Sequence, residues 1–197
     1  VLSPGTGDDG DSVHHFLFAK YAFLHPENFF HHWAKPVYVM LAAPFAQFDF
    51  MGVKVLNALL LTFQIWILGG IARHFKLKNA WLLPIFSLVA PMNLTHTISG
   101  LTEPLLAVWL AGPLLLLLQN SKPDPENSGR NSKLGWAYFL WSFLPLVRSE
   151  GLVIFCPLVI FMLLRGDWRW LPMLAVGHIL IGLAGWPWHA DPFWVVT

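Results

Sequence analysis

The sequence predicts an all-α protein, a polytopic bundle of transmembrane helices with interfacial helices in its first outward loop. Hydrophobic residues make up 56% of the 197 residues and charged residues only 12%, whereas about 25% of the residues in a soluble domain are charged. The mean hydropathy is correspondingly positive, at +0.56. Several apolar runs also approach the roughly 17 to 25 residues that a helix needs to cross a bilayer.

Six apolar runs organise most of the chain. They cover residues 50–72, 80–99, 103–119, 134–149, 150–165 and 169–187. The polar loop 119–133 is rich in Asn, Ser, Pro and Gly, which predicts little regular structure.

A single membrane module over residues 1–197 follows from this pattern. We expect an outward loop over 1–49, about six transmembrane helices over 50–187, and the start of a further outward segment over 188–197. The chain begins without Met and ends just after an aromatic stretch, so we expect it to be a fragment of a longer protein.

Two shorter segments precede the first long run. Residues 36–48 are apolar, but the segment has only 13 residues and contains an internal proline, which favours an interfacial position over a crossing. Residues 13–24 carry apolar side chains at helical spacing, with Ser12 as the expected N-cap. We expect this helix to lie on the membrane as well.

Basic residues predict the orientation, because short loops that contain Lys and Arg face the cytoplasm. Three such loops hold Arg73, Lys76 and Lys78, then Lys122, Arg130 and Lys133, and finally Arg165 and Arg169. The opposite face then receives eight of the eleven acidic residues: Asp8, Asp9, Asp11, Glu27, Asp49, Glu103, Glu150 and Asp191. We expect an integral membrane protein, and the compact loops favour a bacterial inner membrane with the active site on the periplasmic face.

The overall charge excludes one class of partner. The formal net charge is +1, and no run of Lys and Arg could follow a phosphate backbone. We therefore expect membrane lipids as surroundings and no nucleic-acid partner.

Residues 7–15 combine three carboxylates with two imidazoles, those of His14 and His15. Any of Asp8, Asp9 and Asp11 could act as a general base, because a carboxylate beside a hydroxyl can take its proton during attack. The competing interpretation is a solvated acidic loop. The spacing does not select one carboxylate as the base.

The same cluster allows a metal site as an alternative. Asp9, Asp11 and His15 offer oxygen and nitrogen ligands suited to Mn, Mg or Zn, and His31 and His32 could add further ligands. The spacing matches no strict metal motif. No cofactor is therefore certain from the sequence, and a divalent metal remains an option.

Charged residues near the ends of apolar runs are candidates for substrate binding. Lys35 precedes Pro36, and Arg148 lies at a run boundary, so each cation could bind the phosphate of a lipid-linked substrate. Lys35 could instead snorkel to lipid headgroups, and Arg148 could pair with Glu150. Glu103 precedes Pro104, where a carboxylate either serves function or complements the helix dipole.

Taken in order, these motifs resemble those of the GT-C superfamily of membrane glycosyltransferases, which includes protein O-mannosyltransferases and lipid A aminoarabinose transferases. Residues 7–11 are similar to the first acidic motif of that superfamily, 33–36 to its Lys-Pro element, and 101–105 to its later acidic site. Residues 148–151 resemble an Arg-Pro-Glu-Gly turn, with Ser149 in place of the proline.

The resemblance implies transfer of a sugar from a polyprenyl or dolichyl phosphate carrier to an acceptor on the non-cytoplasmic face, usually with inversion. One of the three aspartates would deprotonate the acceptor hydroxyl. Lys35 and Arg148 would meet the carrier phosphate, with His14, His15, Glu103 and Glu150 as further substrate-binding residues. Two alternatives stay open, a transporter or flippase for a lipid-linked anion and a non-catalytic membrane subunit.

Overall fold

The described part of the chain consists of helices joined by turns, with no β-strand among its residues. This computed structural model describes residues 5–6, 10–120, 128–191 and 194. The α-helices of this part are α1 Asp11–Tyr21, α2 Pro36–Ala46, α3 Asp49–His74, α4 Leu82–Val89, α5 Pro91–Ile98, α6 Glu103–Gln119, α7 Ser128–Trp141, α8 Leu144–Val147, α9 Gly151–Leu164 and α10 Met173–His189. The 3-10 helices Pro26–Phe30 and Trp168–Trp170 complete them. The predicted all-α class is confirmed for these residues.

In the described part of the chain, two helical segments are long and apolar enough, by length and composition, to cross a membrane. They are α3, with 26 residues, and Trp168–His189, with 22 residues. The other apolar helices, α2, α6 and α9, are shorter, with 11, 17 and 14 residues. At about 1.5 Å per residue, α2 is only about 16 Å long, roughly half the thickness of a bilayer core.

The predicted continuous run 80–99 is wrong as a single helix. It forms two eight-residue helices, α4 and α5, that meet at Ala90. Ala90 has an extended ψ of 126° because it precedes Pro91, which disfavours helical geometry at the preceding residue. The amide of Asn93 stabilises this break, because its Nδ2 donates to the carbonyl of Ser87 at 2.7 Å.

The predicted run 134–149 and the predicted loop 119–133 are also corrected. Helix α7 ends at Trp141, and the separate short helix α8 begins with Leu144 and Pro145. Ser142 lies between them, and its Oγ accepts a hydrogen bond from the Gly177 amide of α10 at 2.9 Å. At its other end α7 extends back to residue 128, because a helix anchored by its packed apolar half propagates easily into polar residues.

The first helix starts earlier than the sequence predicts. Gly10 is the N-cap of α1, and its carbonyl accepts hydrogen bonds from the amides of Val13 and His14. Ser12 therefore does not cap the helix, and it is fully buried within the first turn. The shift by two residues places Asp11 at the first helical position.

Helix α2 packs tightly between α1 and α3. Its side chains Tyr38, Val39, Ala42, Ala43 and Ala46 are fully buried. Three of these residues are alanines, which lets the neighbouring helix backbones approach closely. Packing of α2 against α1 and α3 places the beginning of α2 beside the beginning of α1.

Close backbone contacts hold the start of α6 against α1 and the start of α9 against α8. A Cβ atom on Gly100, just before α6, would lie 2.6 Å from the Ser12 carbonyl oxygen of α1. A Cβ atom on Gly151, the first residue of α9, would lie 2.4 Å from the Leu144 carbonyl oxygen of α8. Only glycine permits both approaches without movement of the backbone.

Candidate functional site

A polar cleft of about 210 Å³ lies where these helix beginnings meet. Four chain segments that are distant in sequence contribute to its wall. The lining residues are Asp11, His15, Trp33, Lys35, Leu101, Thr102, Arg148, Ser149 and Glu150.

The cleft lies at the N-termini of four helices. Asp11 is the first residue of α1, while Lys35, Thr102 and Glu150 are the N-caps of α2, α6 and α9. The N-terminus of a helix carries unpaired amide groups and a partial positive charge. Four such ends at one cleft favour negative charge there, both that of the protein's own carboxylates and that of an anionic ligand.

Two glutamates hold Arg148 in a fixed position at this cleft. Glu150 binds the guanidinium through both of its oxygens, with Nη2 to Oε1 at 2.7 Å and Nε to Oε2 at 3.1 Å. Glu103 contacts Nη1 through Oε1 at 2.5 Å, and Thr102 Oγ1 accepts a further hydrogen bond at 3.3 Å. The hydrogen bonds from Arg148 lower the pKa of Glu150 to about 2, and the Glu150 carboxylate raises that of Arg148.

Lys35 differs from Arg148 in its partners. Its Nζ donates a hydrogen bond to Ser149 Oγ at 2.7 Å, and no carboxylate of the described residues forms a salt bridge with it. Partial burial lowers the pKa of its ammonium group. Lys35 also has a positive φ of 65°, which is strained for a residue with a side chain and is typical of functional positions.

Asp11 and His15 lie one helical turn apart on α1, so both side chains reach the same cleft. His15 is only 6% exposed. Its ring stacks on Trp33 with centroids 4.9 Å apart and meets the edge of Tyr38 at 5.4 Å. Burial lowers the pKa of the imidazole, although Asp11, a hydrogen bond to the Ala34 backbone and Glu103 oppose that effect.

The turn before α6 is held by two buried residues that the sequence analysis missed. Asn57 Nδ2 of α3 donates to the carbonyls of Ser99 at 2.7 Å and His96 at 3.0 Å. Tyr38 Oη donates to the Gly100 carbonyl at 3.0 Å. Asn57 is a polar residue inside an apolar run, and that signal could have identified it from sequence.

The structure brings together five of the predicted site residues in the cleft: Asp11, His15, Lys35, Arg148 and Glu150. Glu103 lies beside the cleft and binds Arg148. His14 is exposed, donates to the Gly10 carbonyl from Nδ1 at 3.0 Å, and does not line the cleft. Asp8 and Asp9 lie outside the described residues, so their predicted roles as bases or ligands stay predictions.

The alternative of a metal site gains nothing from the described residues. Among them no group of three His, Cys, Asp or Glu side chains is arranged to hold a metal ion. The predicted set of Asp9, Asp11 and His15 includes a residue outside the described part. The ring of His31 packs against Phe18, with centroids 4.2 Å apart.

Comparison of the chain with protein-family models, with curated proteins and with solved structures finds no match.

Proposed function

We propose that this chain is the membrane module of a glycosyltransferase that transfers a sugar from a polyprenyl-phosphate carrier to an acceptor hydroxyl. The observation that carries this proposal is the cleft. It combines a carboxylate from α1, an ammonium group from the start of α2 and a guanidinium group from the start of α9 at four helix N-termini.

The surface of the helices supports a lipid environment. Leu152, Val153, Ile160 and Leu163 of α9 are exposed large hydrophobic residues, as are Phe63 and Trp66 of α3. Exposed apolar faces of this extent are typical of surfaces that meet lipid or a protein partner. In the proposed arrangement the bundle is polytopic, α1 and α2 lie at the interface, and the cleft opens on the periplasmic face of a bacterial inner membrane.

The helix N-termini and Lys35 support recognition of the carrier phosphate. Lys35 is held by a neutral hydroxyl group rather than by a carboxylate. Its charge is therefore available to a ligand as a point charge. Arg148, fixed by Glu103 and Glu150, forms a rigid wall of the same cleft.

Asp11 is the proposed general base among the described residues. Its carboxylate takes the proton of the acceptor hydroxyl while that oxygen attacks the anomeric carbon. The bond between this carbon and the phosphate oxygen breaks, and its electron pair leaves with the carrier phosphate. Lys35 and the helix N-termini stabilise the charge that develops on this phosphate.

The alternative of a transporter or flippase for a lipid-linked anion would require charges along a pathway at mid-depth. In the cleft the charged residues stand at helix N-termini instead. A non-catalytic subunit would tolerate loss of the Asp11 carboxylate. Phosphodiester binding without any turnover in the wild-type protein would favour these alternatives over the transferase.

Binding and turnover test the proposal separately in the intact protein. Binding is measured with farnesyl methyl phosphate, a phosphodiester, against farnesol. We expect Lys35→Gln to weaken phosphodiester binding by roughly 10- to 100-fold, since hydrogen bonds of charged groups contribute about 1.5–3 kcal/mol. Binding of farnesol should not change. Lys20→Gln removes a cation that pairs with Asp49 outside the cleft, and it serves as the matched control.

Turnover is measured as release of decaprenyl phosphate from mannosyl-, glucosyl- and galactosyl-phosphoryl decaprenol, with water as the acceptor whose oxygen takes the sugar. We expect Asp11→Asn to lower it by about 10²- to 10⁴-fold, with phosphodiester binding retained. Full turnover in Asp11→Asn would remove Asp11 as the base. Equal binding of farnesol and the phosphodiester to the wild-type protein would remove the phosphate site.

A further inference from the structure

The cleft poses an electrostatic problem for an anionic ligand. Lys35 and Arg148 are its cations, while Asp11 and Glu150 in its wall and Glu103 beside it are carboxylates. With a neutral His15 the cleft therefore has more negative than positive groups. A phosphodiester that enters it adds another negative charge close to three carboxylates.

Unpaired polar atoms cluster around the same cleft. In the described part of the chain, three buried side-chain atoms have no hydrogen-bond partner: His15 Nδ1, Glu103 Oε2 and Asn57 Oδ1. Such atoms are rare in folded proteins because each costs desolvation free energy. His15 lines the cleft, Glu103 binds its arginine, and Asn57 holds the turn that leads to Glu103.

A proton changes what His15 can do here. When the imidazole is neutral and carries its proton on Nε2, His15 Nδ1 is an acceptor, as is the Oε2 atom of ionised Glu103, so each atom lacks a donor. A proton on Nδ1 turns the imidazole into a cation and a donor at both nitrogens. It would also balance the excess of carboxylates.

We propose that His15 is neutral in the free protein and takes up a proton at Nδ1 when the phosphodiester of the lipid carrier binds in the cleft. The resulting imidazolium is then part of the anion site. The inference rests on the proposed function and names the group that lets an acidic cleft accept an anion. The proton comes from solvent and is released again when the anion leaves, so no bond other than Nδ1–H forms or breaks.

The surroundings of His15 determine the direction of the effect. Asp11 on α1 and Glu103 on α6 favour the charged imidazole, whereas Arg148 before α9 opposes it. Lys35 and Glu150 share the cleft, and Tyr38 of α2 contacts the ring with its edge. Burial is the main effect and lowers the pKa of the free protein's His15 below 6.5. A bound anion raises it again, because a nearby opposite charge favours the charged form.

Linkage makes this proton uptake measurable. A ligand that raises the pKa of His15 by at least about one unit takes up about half a proton or more at the optimal pH. For a rise of one unit, the ligand also binds about tenfold more tightly at a pH well below the His15 pKa of the free protein than at a pH above that of the complex. Farnesyl methyl phosphate is a suitable probe, because a phosphodiester does not itself titrate in this range.

The experiment is calorimetric titration of the intact protein with this probe, in pairs of buffers that differ in ionisation enthalpy. His15→Asn keeps a polar group near the position of Nδ1 but cannot be charged, and His15→Phe keeps the stacking on Trp33. His25→Gln is the control, because His25 is exposed and pairs with Glu27 away from the cleft.

We expect proton uptake and the tenfold pH dependence in the wild-type protein and in His25→Gln, and their loss in both His15 variants. Binding without proton uptake in the wild-type protein would overturn the inference, as would uptake that persists in both His15 variants. Neither result would contradict binding of the phosphodiester in the cleft. A wild-type protein that binds the probe no better than farnesol would instead overturn the proposed function, and the inference with it.

Discussion

Each end of α9 has an arginine bound to a carboxylate, but the surrounding residues come from different parts of the chain. Arg148 precedes the helix and Arg165 follows it, and their side chains are 24% and 25% exposed. Arg165 Nε binds Asp167 Oδ2 at 2.8 Å, and Tyr138 Oη donates to the same oxygen at 2.6 Å. Both ends are thus built on an arginine bound to carboxylate.

The difference lies in where the partners come from. Arg165 binds the carboxylate of Asp167, two positions away, and a tyrosine of α7 binds the same carboxylate. Arg148 binds Glu103 from α6, and its neighbours Asp11 and Lys35 come from more than a hundred residues upstream. The Arg165 end ties adjacent elements together, whereas the Arg148 end gathers distant helix N-termini around a cleft. We conclude that convergence of segments, rather than the presence of an ion pair, distinguishes the candidate site.

Replacing each of the two arginines in turn should give the largest difference in ligand affinity between the two ends of α9. Arg148→Gln leaves Glu103 and Glu150 without their cation, so we expect affinity for farnesyl methyl phosphate to fall by about 10- to 100-fold. Arg165→Gln should leave this affinity unchanged and lower only the melting temperature. Titration calorimetry and thermal unfolding measure both effects. Equal losses of affinity in the two variants would mean that the ends of α9 do not differ in function.

Two tyrosines, Tyr138 beside Arg165 and Tyr38 beside the cleft, should give a second, smaller difference in stability and ligand affinity. Tyr138→Phe removes a hydrogen bond to the carboxylate of Asp167, for which we expect a loss of about 1.5–3 kcal/mol of stability and no change in ligand affinity. Tyr38→Phe removes a bond to a neutral carbonyl, for which we expect about 0.5–1.5 kcal/mol. It should also weaken ligand binding, because the Gly100 turn positions Thr102 and Glu103. An affinity change in Tyr138→Phe alone would reverse this assignment.

The smallest effect is the pH dependence of the Arg148–Glu150 pair. The pKa of Glu150 is lowered from 4.5 to about 2, so the pair contributes its full stability above pH 4.5 and loses it as the pH falls toward 2. Glu150 is 58% exposed, which limits the contribution to less than about 1 kcal/mol. The melting temperatures of wild-type and Glu150→Gln protein should differ at pH 6 and converge on acidification. A difference that grows on acidification would contradict this sign.

Local sequence patterns were sufficient to predict several of the helices and several residues of the cleft. The long apolar run 50–72 became α3, and the proline-initiated segments 36–48 and 103–119 became α2 and α6. The charged residues near these helix beginnings were predicted as site residues, and Asp11, Lys35, Arg148 and Glu150 do line one cleft. Hydropathy did not reveal the breaks at Ala90 and Ser142, because apolar residues continue on both sides of each break.

The sequence by itself determined the helical class, the apolar character of the long runs and the places where charge can occur. These properties depend on composition and on the spacing of neighbouring residues. Only the tertiary structure decided that Arg148 is enclosed by Glu103 and Glu150, that His14 does not line the cleft, and that His15 is buried with an unpaired nitrogen. The physical reason is that burial and pairing depend on contacts between segments that lie far apart in the chain. Spacing along one segment carries no information about those contacts.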